Sequence, residues 1–184
     1  MYGQRDESKG MREHERMNKR TIMIFPAFDN MHIIEGLRQK YDPLYSLVQP
    51  HITLVFPFES ELTVNNIKSV LEENLASITP FYIEVQGLQC SDRWMYLKVT
   101  QGEEFIVQIH ERLYQQYFSR FKPNWLKLYK PHLTVGQFNS AYEAKQAYEI
   151  EKCQTDKFSC IVNTITVETI GNNEESIIEI EHRL

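Results

Sequence analysis

One short pattern occurs twice in this chain and constrains its fold more than any other feature. Residues 50–54 read PHITL and residues 131–135 read PHLTV, so both copies run Pro, His, aliphatic, Thr, aliphatic. The residues around the two copies differ. Alternation of polar and aliphatic residues is typical of a β-strand with one face in the core. The sequence therefore predicts two equivalent strands in an internally duplicated fold.

The polar residues of each copy are expected on one face of its strand, because side chains two positions apart point the same way. His51 and Thr53 would share a face of the first strand, and His132 and Thr134 a face of the second. The aliphatic residues between them would point into the core. A strand face that merely meets water would accept many polar residues. His and Thr at matched positions in both copies therefore favour a functional site.

Two imidazoles in one cleft suit acid–base catalysis at phosphorus. Near neutral pH one ring can be neutral and accept a proton while the other is protonated and donates one. The attacking oxygen must lose a proton and the leaving oxygen must gain one. The threonine hydroxyls would donate hydrogen bonds to the non-bridging oxygens. A metal site would want three or four ligands, so we expect neither a metal nor another cofactor.

The rest of the chain predicts strands and helices in a repeating order. Apolar periodicity indicates strand, helix, motif strand, helix, strand, strand, then helix, motif strand, helix, strand, strand. In this prediction Pro57 ends the first motif strand. A long helix covers residues 103–121 with Phe105 on its apolar face, and residues 158–171 form one strand.

Composition limits where and how the protein works. We expect a polar N-terminal extension at residues 1–19 and a single domain at residues 20–184, without a signal peptide or membrane span. A net charge of −5 argues against coating nucleic acid by bulk charge. The three cysteines lack the spacing of a zinc site or a redox pair, which predicts reduced thiols in the cytoplasm.

The paired His-aliphatic-Thr-aliphatic motif resembles that of the two-histidine (2H) phosphoesterase superfamily. The segment YDPLYSLVQPHITLVFPFE at residues 41–59 looks like its bacterial 2'-5' RNA ligase-like branch. The resemblance implies a bilobal, pseudo-duplicated α+β fold with two antiparallel sheets flanking a central cleft and helices outside. It also implies metal-independent action on 2',3'-cyclic phosphates or 2'-5' phosphodiesters. The catalytic residues would be His51, Thr53, His132 and Thr134.

Four further residues are candidates for substrate binding. Lys130 lies two positions before His132 and would share its face, while Arg93 lies in a turn and could reach a phosphate. Tyr45 could stack on a base. Gly136 would let a ligand approach the backbone, whereas Val55, at the matching position of the first motif, would narrow that side of the cleft.

Three functions remain open at this point. The first is a monomeric phosphoesterase, whose partner is a nucleotide or RNA terminus that it cleaves. The second is a binding module that holds the same ligand without reacting. The third is an adaptor role, with the N-terminal extension as the interacting element.

Charged residues near the motifs predict different roles for the two histidines. Lys127 and Lys130 would disfavour protonation of His132, while Glu59 and Glu61 would favour protonation of His51. We therefore expect His132 to be the base in hydrolysis and His51 the acid.

Overall fold

The computed structural model describes residues 18–184. Of the extension predicted for residues 1–19, residues 1–17 lie outside the described part, and the last two already belong to the first strand. The elements, in chain order, are β1 (Asn18–Ile24), α1 (Met31–Tyr41), β2 (Ile52–Ser60), α2 (Val64–Leu75), β3 (Phe81–Ser91), β4 (Trp94–Gln101), α3 (Glu103–Gln116), a 3-10 turn (Ser119–Phe121), β5 (His132–Gln137), α4 (Ala141–Glu151), β6 (Phe158–Val162), β7 (Thr164–Ile170) and β8 (Ser176–Arg183).

The strands form two antiparallel sheets of four strands each, which confirms the predicted α+β architecture. The strand order is β2-β1-β7-β8 in the first sheet and β5-β4-β3-β6 in the second. Each motif strand is therefore an edge strand. The two motif strands approach each other, with Cα atoms of β2 and β5 within 8 Å. The predicted central cleft would lie where these edges meet.

The lobes are interleaved along the chain rather than formed by its consecutive halves. Strands β3 and β4 follow the first motif but pair in the second sheet. Helices α2 and α3 contact strands of the first sheet, whereas α1 and α4 contact the second. The helix that precedes the first motif therefore packs against the strand of the second motif.

The single strand predicted for residues 158–171 is wrong, because this segment forms two strands in different sheets. β6 pairs with β3, while β7 pairs with β1 and β8. Asn163 lies between them, and its carbonyl accepts a hydrogen bond from the backbone N–H of Leu184 at 3.0 Å. Periodicity cannot locate this crossing, since the sequence on both sides is equally strand-like.

Pro57 does not end the first motif strand, which continues to Ser60. The strand tolerates proline because β2 lies at the edge of its sheet. It pairs with another strand on one side only, so the missing N–H is less disruptive than in a central strand. This prediction failed because the edge position of β2 depends on partners that are remote in sequence.

The helix predicted for residues 103–121 ends at Gln116 and is followed by the 3-10 turn. Its buried face carries Ile106, Ile109 and Leu113, which are fully buried, whereas Phe105 is 40% exposed. Successive helical residues are about 100° apart, so Phe105 is rotated away from the face that begins at Ile106.

The aliphatic residues of both motifs belong to one continuous core. Ile52 and Leu54 of β2 and Leu133 and Val135 of β5 are all fully buried within it. The predicted alternation is thus confirmed in both motif strands. None of the helices within residues 18–184 combines the length and apolarity needed to span a bilayer.

Candidate active site

The four polar motif residues lie on or next to β2 and β5, the two edge strands that approach each other. His51 immediately precedes β2 and His132 is the first residue of β5. Both histidines and both threonines, Thr53 and Thr134, are partly exposed, in contrast to the aliphatic residues between them. The strands at which they lie, β2 and β5, approach each other with Cα atoms within 8 Å, so the two motifs are neighbours in space.

Each motif strand carries a β-bulge directly after its threonine. The pairing of β2 with β1 skips Leu54, and the pairing of β5 with β4 skips Val135. A bulge bends its strand and changes the direction of neighbouring side chains, and bulges are frequent next to active sites. The duplication therefore extends from residue types to backbone geometry.

Both imidazole rings are held by the same hydrogen bond. Nδ1 of His51 lies 2.8 Å from the carbonyl oxygen of Gln49, and Nδ1 of His132 lies 2.8 Å from that of Lys130. A carbonyl only accepts, so Nδ1 carries a proton in both rings. Nε2 is then a lone-pair acceptor in a neutral ring and a donor in a protonated one. Each ring can act as base or acid through Nε2.

Loss of solvent around the ring lowers the pKa of His51 from its ordinary value of 6.5. The Gln49 carbonyl opposes this shift, Arg38 adds to it, Asp42 opposes it, and His132 adds to it. The direction is opposite to the one predicted from Glu59 and Glu61.

That prediction failed because Glu59 lies eight residues along an extended strand. At 3.3 Å per residue it is roughly 26 Å from His51, well beyond the screening length of about 10 Å. Arg38, which is thirteen positions from His51 in sequence but close in space, has the larger effect.

Arg38 holds the segment that leads into the first motif. Its side chain is 1% exposed and donates to the carboxylate of Asp42 at 2.8 Å and to the carbonyls of Leu44 and Val48 at 3.2 and 2.8 Å. A planar guanidinium offers a fixed set of donors. Its contacts therefore fix the chain between α1 and His51.

Two of the residues predicted to bind substrate differ in their distance from the histidines. Lys130 is exposed, and its carbonyl holds the ring of His132. Arg93 is exposed in the turn between β3 and β4, beside the far end of β5. The five steps along the strand from His132 to Gln137 span roughly 16 Å. Arg93 is therefore too far along β5 for the predicted contact with a phosphate at His132.

Another lysine, which was not predicted from the sequence, lies much closer to the second motif. Lys98 of β4 is the direct cross-strand partner of His132 and shares its face. Tyr96, the partner of Thr134, packs against the ring of His132 with centroids 4.9 Å apart. These neighbours can be identified only from the register in which β4 pairs with β5, and no local sequence pattern predicts that register.

Val55 and Gly136, which match each other in the two motifs, both lie in the interior. Val55 is fully buried and does not face the cleft as predicted. A Cβ at Gly136 would meet the ring of Phe138 and the Cβ of Tyr41, each at 3.0 Å. The space beside Gly136 is thus filled by protein, and the predicted approach of a ligand there is not supported.

We expect Gly136→Ala to destabilise the protein by about 1–3 kcal/mol, because the added methyl overpacks a filled site. The matched control is Gly36→Ala in α1, where a Cβ meets no heavy atom within 4 Å. That change should stabilise the helix by about 0.5–1 kcal/mol. Urea midpoints of both variants measure the difference, and an unchanged midpoint for Gly136→Ala would contradict the packing role.

A cavity of about 440 Å³ opens beside His51 on the first lobe. Thr53, Met23, Thr166 and Glu181 are successive cross-strand partners, so the cavity lies on the same sheet face as Thr53. Its wall combines aromatic, amide, hydroxyl and carboxylate groups, and no lysine or arginine of the described residues lines it. Principal lining residues are Phe25, Tyr45, Gln49, Asn163, Thr166 and Glu181.

Phe25 links this cavity to the motif, since its ring meets the His51 ring edge-on at 6.2 Å between centroids. Tyr45, the predicted stacking residue, is 37% exposed at the cavity wall. Within residues 18–184, no three His, Cys, Asp or Glu side chains are grouped so that they could hold a metal ion.

The sequence model of a known protein family matches most of the chain. The model of the 2'-5' RNA ligase superfamily covers residues 25–174, including both motifs. The chain belongs to the 2'-5' RNA ligase superfamily. The resemblance to 2H phosphoesterases drawn from the paired motif is thereby confirmed.

Relatives of this superfamily member carry phosphoesterase names. A Bacillus pumilus (strain SAFR-032) protein named "Putative phosphoesterase" is 28% identical over 160 residues, covering 85% of this chain and 83% of its own. A protein of the same name from Bacillus cereus (strain ATCC 10987 / NRS 248) is 34% identical over 125 residues, which cover 65% of this chain and 69% of its own. These relatives support a phosphoesterase function.

Solved structures of E. coli LigT share the fold of this 2'-5' RNA ligase superfamily member. The complex with 3'-AMP matches with a TM-score of 0.65 and 16% identity, covering 92% of this chain and 99% of LigT. The complexes with NADP+ and ATP match with TM-scores of 0.65 and 0.59. At this level of identity the comparison shows the two-sheet fold.

Proposed function

We propose that this protein is a metal-independent phosphoesterase acting on 2',3'-cyclic phosphate or 2'-5' phosphodiester bonds of nucleotides or RNA ends. The observation that carries the proposal is the matched hydrogen bonding of the two imidazoles. Both rings carry the Nδ1 proton and leave Nε2 for a ligand in the cleft. One reaction at phosphorus uses two such nitrogens on opposite oxygens.

In hydrolysis, Nε2 of His51 takes a proton from water while the water oxygen forms a bond to phosphorus. The bond from phosphorus to one ribose oxygen breaks, and Nε2–H of His132 gives its proton to that oxygen. The hydroxyls of Thr53 and Thr134 and the ammonium of Lys98 stabilise the charge on the non-bridging oxygens. The lowered pKa of His51 favours it as the base, the reverse of the roles expected from sequence neighbours.

The pH dependence of kcat/KM should be bell-shaped, with its rising limb below pH 6.5. A base must be neutral to act, and a lowered pKa keeps His51 neutral to lower pH. A rate profile over pH 4.5–9 measures the limb, and NMR titration of the ring assigns it. A rising limb that titrates with His132 would contradict the assignment of roles.

The cavity beside His51 suits the nucleoside part of the substrate. Aromatic rings can stack on a base, and amides, hydroxyls and carboxylates can bond to base and ribose donors. The lack of a lysine or arginine in its described wall makes the cavity unsuited to a second phosphate.

The three free cysteines support a reducing compartment, so we place the protein in the cytoplasm. We also propose that it acts as a monomer.

The direct test is a panel of the four nucleoside 2',3'-cyclic phosphates and several 2'-5' dinucleotides, assayed with and without EDTA. We expect turnover that the chelator does not change. The control is the His51→Ala, His132→Ala double variant in the same assay. Absence of product from every compound would contradict the proposal. Binding without turnover would then favour the module that only holds a nucleotide or RNA end.

A further inference from the structure

Three ring side chains outside the motifs form a cluster beside the first motif strand. His110 and Tyr114 of α3 are almost fully buried, and Tyr129 lies on the segment before β5. The rings of His110 and Tyr129 stack with centroids 3.6 Å apart and 3° between their planes. Tyr114 meets His110 edge-on at 4.9 Å. The chemistry proposed above uses none of these side chains.

All three side chains bond to the backbone of β2 around its bulge. The hydroxyl of Tyr129 donates to the carbonyl of Thr53 at 2.7 Å, and Nδ1–H of His110 donates to the carbonyl of Leu54 at 2.7 Å. The hydroxyl of Tyr114 accepts the N–H of Phe56 at 3.0 Å. The cluster therefore fixes the strand on both sides of the bulge residue.

Tyr129 differs from the other two because of where it lies in the chain. It comes three residues before His132, and the next residue, Lys130, holds the His132 ring through its carbonyl. Its hydroxyl reaches the backbone of Thr53 in the other motif. One side chain thus connects the segment that orients one histidine to the strand that carries the other motif.

We propose that Tyr129 is a positioning residue that fixes the placement of the two motifs relative to each other. This inference rests on the proposed phosphoesterase function. The two Nε2 atoms must reach opposite oxygens of one phosphate, and a misplacement of about 1 Å can cost about a hundredfold in rate. A hydrogen bond between the motif segments, braced by stacking on His110, limits such movement.

The protonation states of the cluster are consistent with this role. Burial raises the pKa of Tyr129, so its hydroxyl keeps the proton that it donates to Thr53. Loss of solvent lowers the pKa of His110, so its ring is neutral and, with its proton on Nδ1, donates to Leu54. Lys122 adds to the His110 shift, while the Leu54 carbonyl and Glu111 oppose it.

The test compares Tyr129→Phe with Tyr114→Phe. Each change removes one hydroxyl from a hydrogen bond to β2 and keeps the ring. Only Tyr129 connects to the second motif, so Tyr129→Phe should lower kcat about tenfold or more with KM within about twofold. Tyr114→Phe should leave kcat within about threefold while costing a similar 0.5–1.5 kcal/mol of stability.

Equal losses of kcat in the two variants, or a Tyr129→Phe kcat within threefold of wild type, would overturn the proposal. Failure of the proposed function is distinct, because wild type itself would then turn over no compound of the panel. NMR of the imidazole nitrogens tests whether Tyr129 connects the two motifs, and it does so without a measurement of turnover. We expect Tyr129→Phe to shift the signals of both His51 and His132, and Tyr114→Phe to leave His132 unchanged. An unchanged His51 signal in Tyr129→Phe would also overturn the proposal.

Discussion

Replacing either His51 or His132 by alanine is expected to lower kcat/KM by about a hundredfold or more, because each removes one partner of a general acid–base pair. The double variant should be little worse than the single ones, since the two groups act as a unit. Steady-state kinetics on the best cyclic phosphate of the panel measure all three.

The matched control is His32→Ala, which removes an exposed imidazole from α1. Its kcat/KM should equal that of wild type. If both motif variants lost less than tenfold while remaining folded, the paired-histidine mechanism would be wrong, whatever other residues the cleft supplies.

The largest expected effect on stability is that of Arg38→Met. The change leaves the carboxylate of Asp42, which is 7% exposed, without its guanidinium, and removes donors from two carbonyls. Breaking a buried ion pair by removing one partner costs about 3–5 kcal/mol. Urea unfolding at constant m-value measures the loss. Because the positive charge of Arg38 also lowers the pKa of His51, the rising limb of the pH profile should move to higher pH.

Lys40→Met on the same helix is the control for this variant. Lys40 pairs with Glu151 at 3.1 Å but is 59% exposed, so its loss should cost no more than about 1 kcal/mol. Arg38→Lys, which keeps the charge but not the planar set of donors, should fall between the two. Equal midpoints for Arg38→Met and Lys40→Met would refute the anchoring role of Arg38.

The parts of the site that could be predicted from sequence are those set by local geometry. Alternation along a half-buried strand is a property of neighbouring residues, so the shared faces of His51 with Thr53 and of His132 with Thr134 follow from the motifs alone. The family resemblance then supplied the two-sheet architecture, which a strand pattern cannot specify. Both predictions rest on one short motif that occurs twice in the chain.

The parts that could not be predicted depend on pairing between remote segments. Lys98 lies opposite His132 only because β4 and β5 pair in one register. Arg38 affects His51 through the fold of the intervening loop, while Glu59, nearer in sequence, is carried away along the strand. His110 in its helix carried no sign that its ring meets the carbonyl of Leu54. Sequence distance was a poor guide in each case.

The crossing at Asn163 has a consequence for the order in which the protein can assemble during synthesis. All strands of the second sheet lie between Phe81 and Val162, so that sheet has its full complement once Val162 has left the ribosome. The first sheet joins β1 and β2 near the start of the chain to β7 and β8 at its end. His51 therefore emerges well before β7 and β8, and its own sheet cannot be completed until those two strands have been synthesised.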